Sequence, residues 1–160
     1  MAVVNENSTQ YANFIAKPMV KTDPDTWMGR LRIFRFDYTR TTVGDATSSC
    51  NLIQLPGGRV RLLLALSRVA FSAYGSSRTL DLGYAAYTDH DGDAVAADPN
   101  GIDDGIDVSG AGSANPTGTV GTDETLLINS RDGVVLTAQV NDGTWPASAT
   151  LHGYYVAAID

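Results

Sequence analysis

The densest run of potential chemistry in this chain is acidic. Asp89-His90-Asp91-Gly92-Asp93 is followed by Asp98, Asn100, Asp103, Asp104 and Asp107. Carboxylates spaced this closely among glycines can wrap a hard cation such as calcium, which takes about six to eight oxygen ligands. Asp89, Asp91 and Asp93 match the opening of a calcium loop. Ala94 stands where that loop needs glycine, and Asn100 stands where its closing Glu belongs. The competing reading is a solvated loop folded by Asx turns. Calcium on Asp89, Asp91 and Asp93 is therefore the one cofactor the sequence admits. A two-carboxylate glycosidase site is conceivable in the same stretch, but such sites hold their acids rigidly across a cleft. Here the acids crowd one segment.

Other chemistry is sparse. The chain has one cysteine and two histidines among 160 residues, which excludes an internal disulfide and a cysteine-rich metal site. Cys50 sits in an apolar stretch and reads as a small buried hydrophobe. His90 lies among acids and reads as a loop residue, His152 as a surface or interface residue. No P-loop, GxSxG or HExxH motif occurs, and no catalytic residue is assigned. Trp27 and Trp145 could each stack on a sugar or cap the core.

Charge excludes one further class. Eleven Lys and Arg against 18 Asp and Glu leave a net charge of −7. A general nucleic-acid binder needs a basic face, so none is expected. The charge is partitioned along the chain. Residues 1–78 hold ten basic and five acidic side chains, whereas residues 79–130 hold ten acids and no Lys or Arg. Arg30, Arg32 and Arg35 fall in one segment, and Arg59, Arg61 and Arg68 in the next. They read as a solvated face or as a docking surface for an acidic partner. Whether the two charge classes end on opposite sides depends on how the fold mixes its strands.

The elements that must position these groups are strands. Residues 1–27 are polar, broken by Pro18 and Pro24, and without a period of 3.6 or 2; they read as an extended N-terminal arm. Residues 28–160 form one β-sandwich domain in this reading. The run Arg30–Tyr38 alternates but changes phase between Ile33 and Phe34, which predicts a β-bulge or a strand that changes sheets. Pro56-Gly57-Gly58 predicts a hairpin joining 49–55 to 59–67, and Asp132-Gly133 predicts another joining 125–129 to 134–140. Leu80, Leu82 and Tyr84 share a face, as do Val134, Leu136, Ala138 and Val140, and Leu151, Tyr155 and Ile159. Gly153 marks a bulge or a close approach. Residues 88–122 read as a long loop with one short strand near Ile106–Ser109. No amphipathic helical pattern exceeds about two turns. Seven to nine such strands indicate an all-β sandwich or barrel. The start of the chain shows no secretory signal, and the most apolar run, Leu62–Leu66, is far short of the roughly 20 residues of a membrane span. The Asn7-Ser8-Thr9 sequon is accordingly not expected to be used, and synthesis in a cytoplasm is expected.

The phrases L-P-G-G-R-V from Leu55, L-A-L-S-R-V from Leu64, R-T-L-D-L-G-Y-A-A-Y-T-D from Arg78, V-V-L-T-A-Q-V-N-D-G from Val134 and Tyr154-Tyr155-Val156 carry a resemblance. Over residues 28–160 the chain resembles small all-β structural proteins that decorate or cement the capsids of tailed bacteriophages. The likeness lies in strand and turn phrasing, not in a catalytic motif. It implies a jelly-roll-like β-sandwich, commonly a homotrimer, on the outer surface of the virion head. Such a protein, made in the host cytoplasm, bridges major capsid protein subunits; from the charge and the lack of a long apolar run, neither nucleic acid nor membrane is an expected partner. The expected capsid or subunit contacts are Tyr11, Phe14, Ile15, Met19 and Trp27 in the arm, with Arg30, Arg32 and Arg35 in the first strand. A carbohydrate- or calcium-dependent adhesion module of a phage appendage is the alternative reading.

Overall fold

The computed structural model describes residues 30–116 and 124–159. The arm residues Tyr11, Phe14, Ile15, Met19 and Trp27 lie outside the described residues. Among the described residues there is no α-helix, and so none long and apolar enough to cross a membrane. The strands are β1 (Arg30–Thr39), β2 (Ser49–Leu55), β3 (Gly58–Leu63), β4 (Arg68–Phe71), β5 (Thr79–Tyr84), β6 (Tyr87–Thr88), β7 (Ala94–Val95), β8 (Asp98–Asp107), β9 (Gly112–Ala114), β10 (Thr125–Ser130), β11 (Val134–Asn141) and β12 (Thr150–Ile159). They build a jelly-roll-like sandwich of two antiparallel sheets.

In sheet I, β12 is central. Its whole length pairs with β1 on one side, from Arg30 opposite Ile159 to Thr39 opposite Thr150. On its other side β3 and β4 lie end to end, separated by a single 3₁₀ turn at Leu64–Leu66. β10 then pairs with β3, and β9 with β4. Sheet II runs β2-β11-β5-β8, and β6 with β7 forms a separate small ribbon. Leu62, Val69, Leu151 and Tyr155 from sheet I meet Leu55, Leu80, Leu82, Leu136 and Val140 from sheet II in one buried core.

The alternating segments behave as their pattern predicts. β11 buries every second residue, Val134, Leu136, Ala138 and Val140, because one face meets the core and the other meets solvent. β5 buries Leu80 and Leu82, and β12 buries Leu151 and Tyr155. At Gly153 a Cβ would lie 2.1 Å from the Arg68 carbonyl oxygen, so the expected close approach is real.

Four expectations are corrected. β1 holds unbroken register with β12, without a bulge and without changing sheets. Its first four residues are exposed, so burial imposes no phase there, and apolar Leu31 and Ile33 sit on the face opposite Phe34 and Phe36. The turn Pro56-Gly57 does not make a hairpin: β2 belongs to sheet II and β3 to sheet I. Asp132-Gly133 likewise carries the chain from β10 in sheet I to β11 in sheet II. The two corners stack tightly: a Cβ on Gly57 would lie 2.4 Å from the Arg131 carbonyl oxygen, and one on Gly133 2.4 Å from that of Leu55. Turn chemistry specifies a tight bend, but strand pairing across the sandwich decides which sheet follows it. Lastly, β6 to β9 organise what reads as a long loop. β8 is a ten-residue edge strand despite its Pro, Gly and Asp content, because two register shifts against β5 absorb its irregularity.

Candidate docking surface

The outer face of sheet I is assembled in rows across the strands. Register places Leu31, Ala158, Arg61 and Leu127 side by side on β1, β12, β3 and β10. The next row is Ile33 beside Val156, and then Arg35, Tyr154 and Arg68. The last is Asp37, His152, Ala70 and Ser113. Strand pleating turns these residues away from the core, because their neighbours Phe34, Phe36, Tyr155, Ala157 and Leu62 turn toward it.

This face is apolar in its middle and basic around it. Leu31 is 59% exposed, Ile33 63% and Leu127 40%. Val156 and Ala158 between them are buried yet do not belong to the core between the sheets. Arg61 stands in the same row, its Nε buried and without a hydrogen-bond partner. Farther along, a shallow depression of about 640 Å³ is lined by Arg35, Asp37, Arg68, Ala70, His152 and Tyr154. Arg68 donates to the Ser113 hydroxyl at 2.7 Å, which holds its guanidinium over the sheet. Contiguous apolar surface rimmed by polar groups marks interaction sites on soluble domains.

Ser67 keeps the face continuous. It sits at the break between β3 and β4, fully buried, and its Oγ donates to the Leu63 carbonyl at 2.9 Å. The same oxygen accepts the Val156 amide at 3.0 Å. A side chain thus replaces the ladder bond that the 3₁₀ turn removes, and Arg61 and Arg68 stay on one surface.

The two sheets differ in charge. Sheet I strands carry Arg30, Arg32, Arg35, Arg59, Arg61 and Arg68 against Asp37 alone. Sheet II strands carry Asp81, Asp98, Asp103, Asp104 and Asp107 and no Lys or Arg. The acids of sheet II are partly spent on the fold. Asp81 accepts the Gly105 amide at 3.0 Å and also the Asn141 side-chain amide, tying the β8 bulge to β11. Burial, more than the charges of Asp104 and Asp142, raises the Asp81 carboxyl above its ordinary value. Asp107, exposed, accepts the Ser109 amide at 2.8 Å, and that bond lowers its pKa.

Asp89, Asp91 and Asp93 fall at the β6–β7 turn. The Asp89 carboxylate accepts the backbone amides of Asp91 at 3.0 Å and Asp93 at 2.8 Å, an Asx-type closure of the turn. Among the described residues no three His, Cys, Asp or Glu are grouped so as to hold a metal ion. Trp145 is fully buried, edge-on to Tyr38 at 5.6 Å, with the Arg40 guanidinium 4.8 Å from its ring centre. It is a core residue with a cationic cap.

Of the contact residues expected from sequence, Arg30, Arg32 and Arg35 all lie on β1, exposed. Register divides them: Arg35 shares the outer face with Leu31 and Ile33, and Arg30 and Arg32 take the other side. Leu31, Ile33, Leu127 and Tyr154 escaped the sequence reading. For Leu31 and Ile33 the one signal is the change of phase after Ile33, where apolar residues fall on the side the core does not use; Leu127 and Tyr154 carry no such signal.

No known family matches the sequence, and no curated protein does. Solved structures do match. A chain in the capsid of Ralstonia phage GP4 is similar at 17% identity and a TM-score of 0.60, over 82% of this chain and 86% of that one. A chain in the cyanophage Pam1 capsid asymmetric unit is similar at 10% identity and a TM-score of 0.53, over 84% and 88%. The three share a fold. At such identities the likeness shows the fold alone, and the outer face of sheet I described above is a property of this chain's own residues.

Proposed function

We propose that the protein is a structural component of a tailed-phage virion, decorating the outer surface of the head and stabilising it by bridging major capsid protein subunits. The observation that carries this reading is the outer face of sheet I, an apolar strip with Arg61 in it and Arg35 and Arg68 beside it, on a sandwich with the fold of chains found in two phage capsids. The matched stretch is a similar share of both chains in each comparison, so the capsid chains are of comparable length to this one. A small chain with a rigid core and a displayed face suits a role in which many modest contacts add by multivalency. A homotrimer on a local threefold axis would present three such faces at once, and residues 1–27 would extend the contact as arms. Of the two tryptophans that the adhesion reading could use as a sugar platform, Trp145 is buried and offers none.

The test is direct. Purified protein is added to shells that lack it, and binding and the thermal resistance of the shells are measured. Full-length protein is expected to bind and to raise that resistance. Arg35→Glu with Arg68→Glu is expected to weaken binding without changing the protein's own melting. Failure of the full-length protein to bind refutes the decorating role.

A further inference from the structure

The sheets of this sandwich have edges, and an unpaired edge is a template for another strand. Proteins blunt such edges with proline, bulges, charge or short length. β8, the outer strand of sheet II, has Pro99, two register shifts and Gly105 at a φ of +81°. β2, at the other end of that sheet, has a register shift at Leu136/Thr137 of its partner. β9 and β10, at the far side of sheet I, are three and six residues long. β1 is different. It is ten residues long, contains no Gly or Pro, keeps unbroken register, and among the described residues pairs only with β12. Its only blunting device is the positive charge of Arg30, Arg32 and Arg35, and that device fails against an acidic partner.

Resting on the decorating role proposed above, we infer that the free edge of β1 receives an added strand from the shell subunit, an extended segment that alternates apolar and acidic residues. The side chains of β1 specify the alternation. On the outer face Leu31 and Ile33 offer apolar contact, and on the other face Arg30 and Arg32 call for carboxylates. Space for the second set exists. A depression of about 520 Å³ lies beside β1 between the sheets, lined by Arg32, Ile33, Phe34 and Ile159 from one side and Gln54, Leu55, Pro56 and Asp132 from the other; the Asp132 carboxylate is already paired with Arg131 at 3.3 Å. Backbone pairing supplies affinity and the alternate side chains supply selection, the usual division in strand addition. A second copy of this chain is a poor occupant. Antiparallel β1–β1 pairing sets the arginines of the two copies against one another, and the acidic strand β8 is blocked by its own bulges and Pro99.

The experiment uses the full-length protein and two synthetic ten-residue peptides, one alternating Val and Glu, the other Val and Lys. Binding is followed by fluorescence anisotropy, and amide protection by hydrogen exchange read residue by residue. The Val/Glu peptide is expected to bind about tenfold or more tightly than the Val/Lys peptide, from two or three added ion pairs. It should also protect alternate amides between Arg30 and Arg35. Arg30→Glu with Arg32→Glu, both exposed, should leave melting unchanged and invert the preference. Equal binding of the two peptides, or protection elsewhere, overturns the proposal. So do β1 amides already protected in the free chain and released by removing residues 1–27, which assigns the edge to the chain's own arm. Protection that grows with protein concentration alone also overturns it and assigns the edge to a second copy. Shells separate the two readings. If the protein binds shells and β1 gains no protection, strand addition falls and the decorating role stands. If the Val/Glu peptide binds at β1 and shells do not, the shell is overturned as the source of the strand, and the decorating role falls with it.

Discussion

Replacing Ser67 with alanine tests how the outer face of sheet I is held together. β12 pairs with β3 through Ala157–Ile159 and with β4 through Leu151–Tyr154. Val156 falls in the gap, and its amide finds only the Ser67 hydroxyl, at 3.0 Å. Ser67→Ala strands that buried amide, which costs about 1–3 kcal/mol for a group that water cannot reach. It also removes the donor to the Leu63 carbonyl, a net loss of about 0.5–1.5 kcal/mol. The lost oxygen is too small to leave a cavity of consequence. The expected destabilisation is about 2–3 kcal/mol, or a fall in melting temperature of roughly 6–9 °C for a chain of this size. Equilibrium unfolding in urea measures it, with an unchanged slope showing that only stability has moved. Ser113→Ala is the control, since that hydroxyl only accepts from exposed Arg68, and it should cost less than about 0.5 kcal/mol. If Ser67→Ala and Ser113→Ala unfold at the same urea concentration, the side-chain bridge across the β3–β4 break carries no weight.

Three further outcomes follow from the same structure. Gly153→Ala places a Cβ 2.1 Å from a backbone oxygen and should cost about 3 kcal/mol, whereas Gly112→Ala, 3.4 Å from the Phe71 ring, should be tolerated; thermal melting separates them. Burial raises the Asp81 carboxyl above 3.8, so the folded state holds that proton more tightly than the unfolded chain. This group adds stability below that value and loses it as pH rises through the folded value, so wild type should gain on Asp81→Asn between about pH 7 and about pH 4. A urea midpoint difference that does not change with pH refutes this. Burial pushes the Cys50 thiol up to about 12, so an aromatic disulfide reagent at about pH 8 should label it only on unfolding, and prompt labelling of the native protein contradicts the assignment.

How much of this was legible depends on which force fixes each residue. β5, β11 and β12 could be read because one face of each is buried and burial writes a period of two into the sequence. Pro56-Gly57 and Asp132-Gly133 could be read as bends, but not as sheet-to-sheet corners, because pairing partners far away in sequence decide the sheet. β8 was hidden since its ladder with β5, not its Pro-Asn-Gly-rich composition, makes it a strand. The site was half legible. Arg30, Arg32 and Arg35 were visible as a cluster of charge, while Leu31 and Ile33 looked like core residues out of phase. Only register shows that they share an outer surface with Val156, Ala158 and Leu127.

The fold does mix strands from the basic and acidic parts of the chain, and mixing should blur their polarity. It does not, because the strands that cross over are neutral. Sheet I takes β9, β10 and β12 from the later part, none bearing Asp, Glu, Lys or Arg. Sheet II takes β2 from the early part and β11 from the late part, equally without formal charge. All six strand arginines therefore stay on one sheet and all the strand aspartates but Asp37 on the other. Sheets pack about 10 Å apart and their outer side chains stand farther apart still, beyond the Debye length of about 8 Å at physiological salt, so in the surrounding solution each outer face acts on a partner largely by itself. In the decorating role proposed above, an acidic surface would be drawn to sheet I and turned away by sheet II, which favours one docking orientation before contact forms. That selection acts on the encounter rate, so added salt should slow association far more than it speeds release.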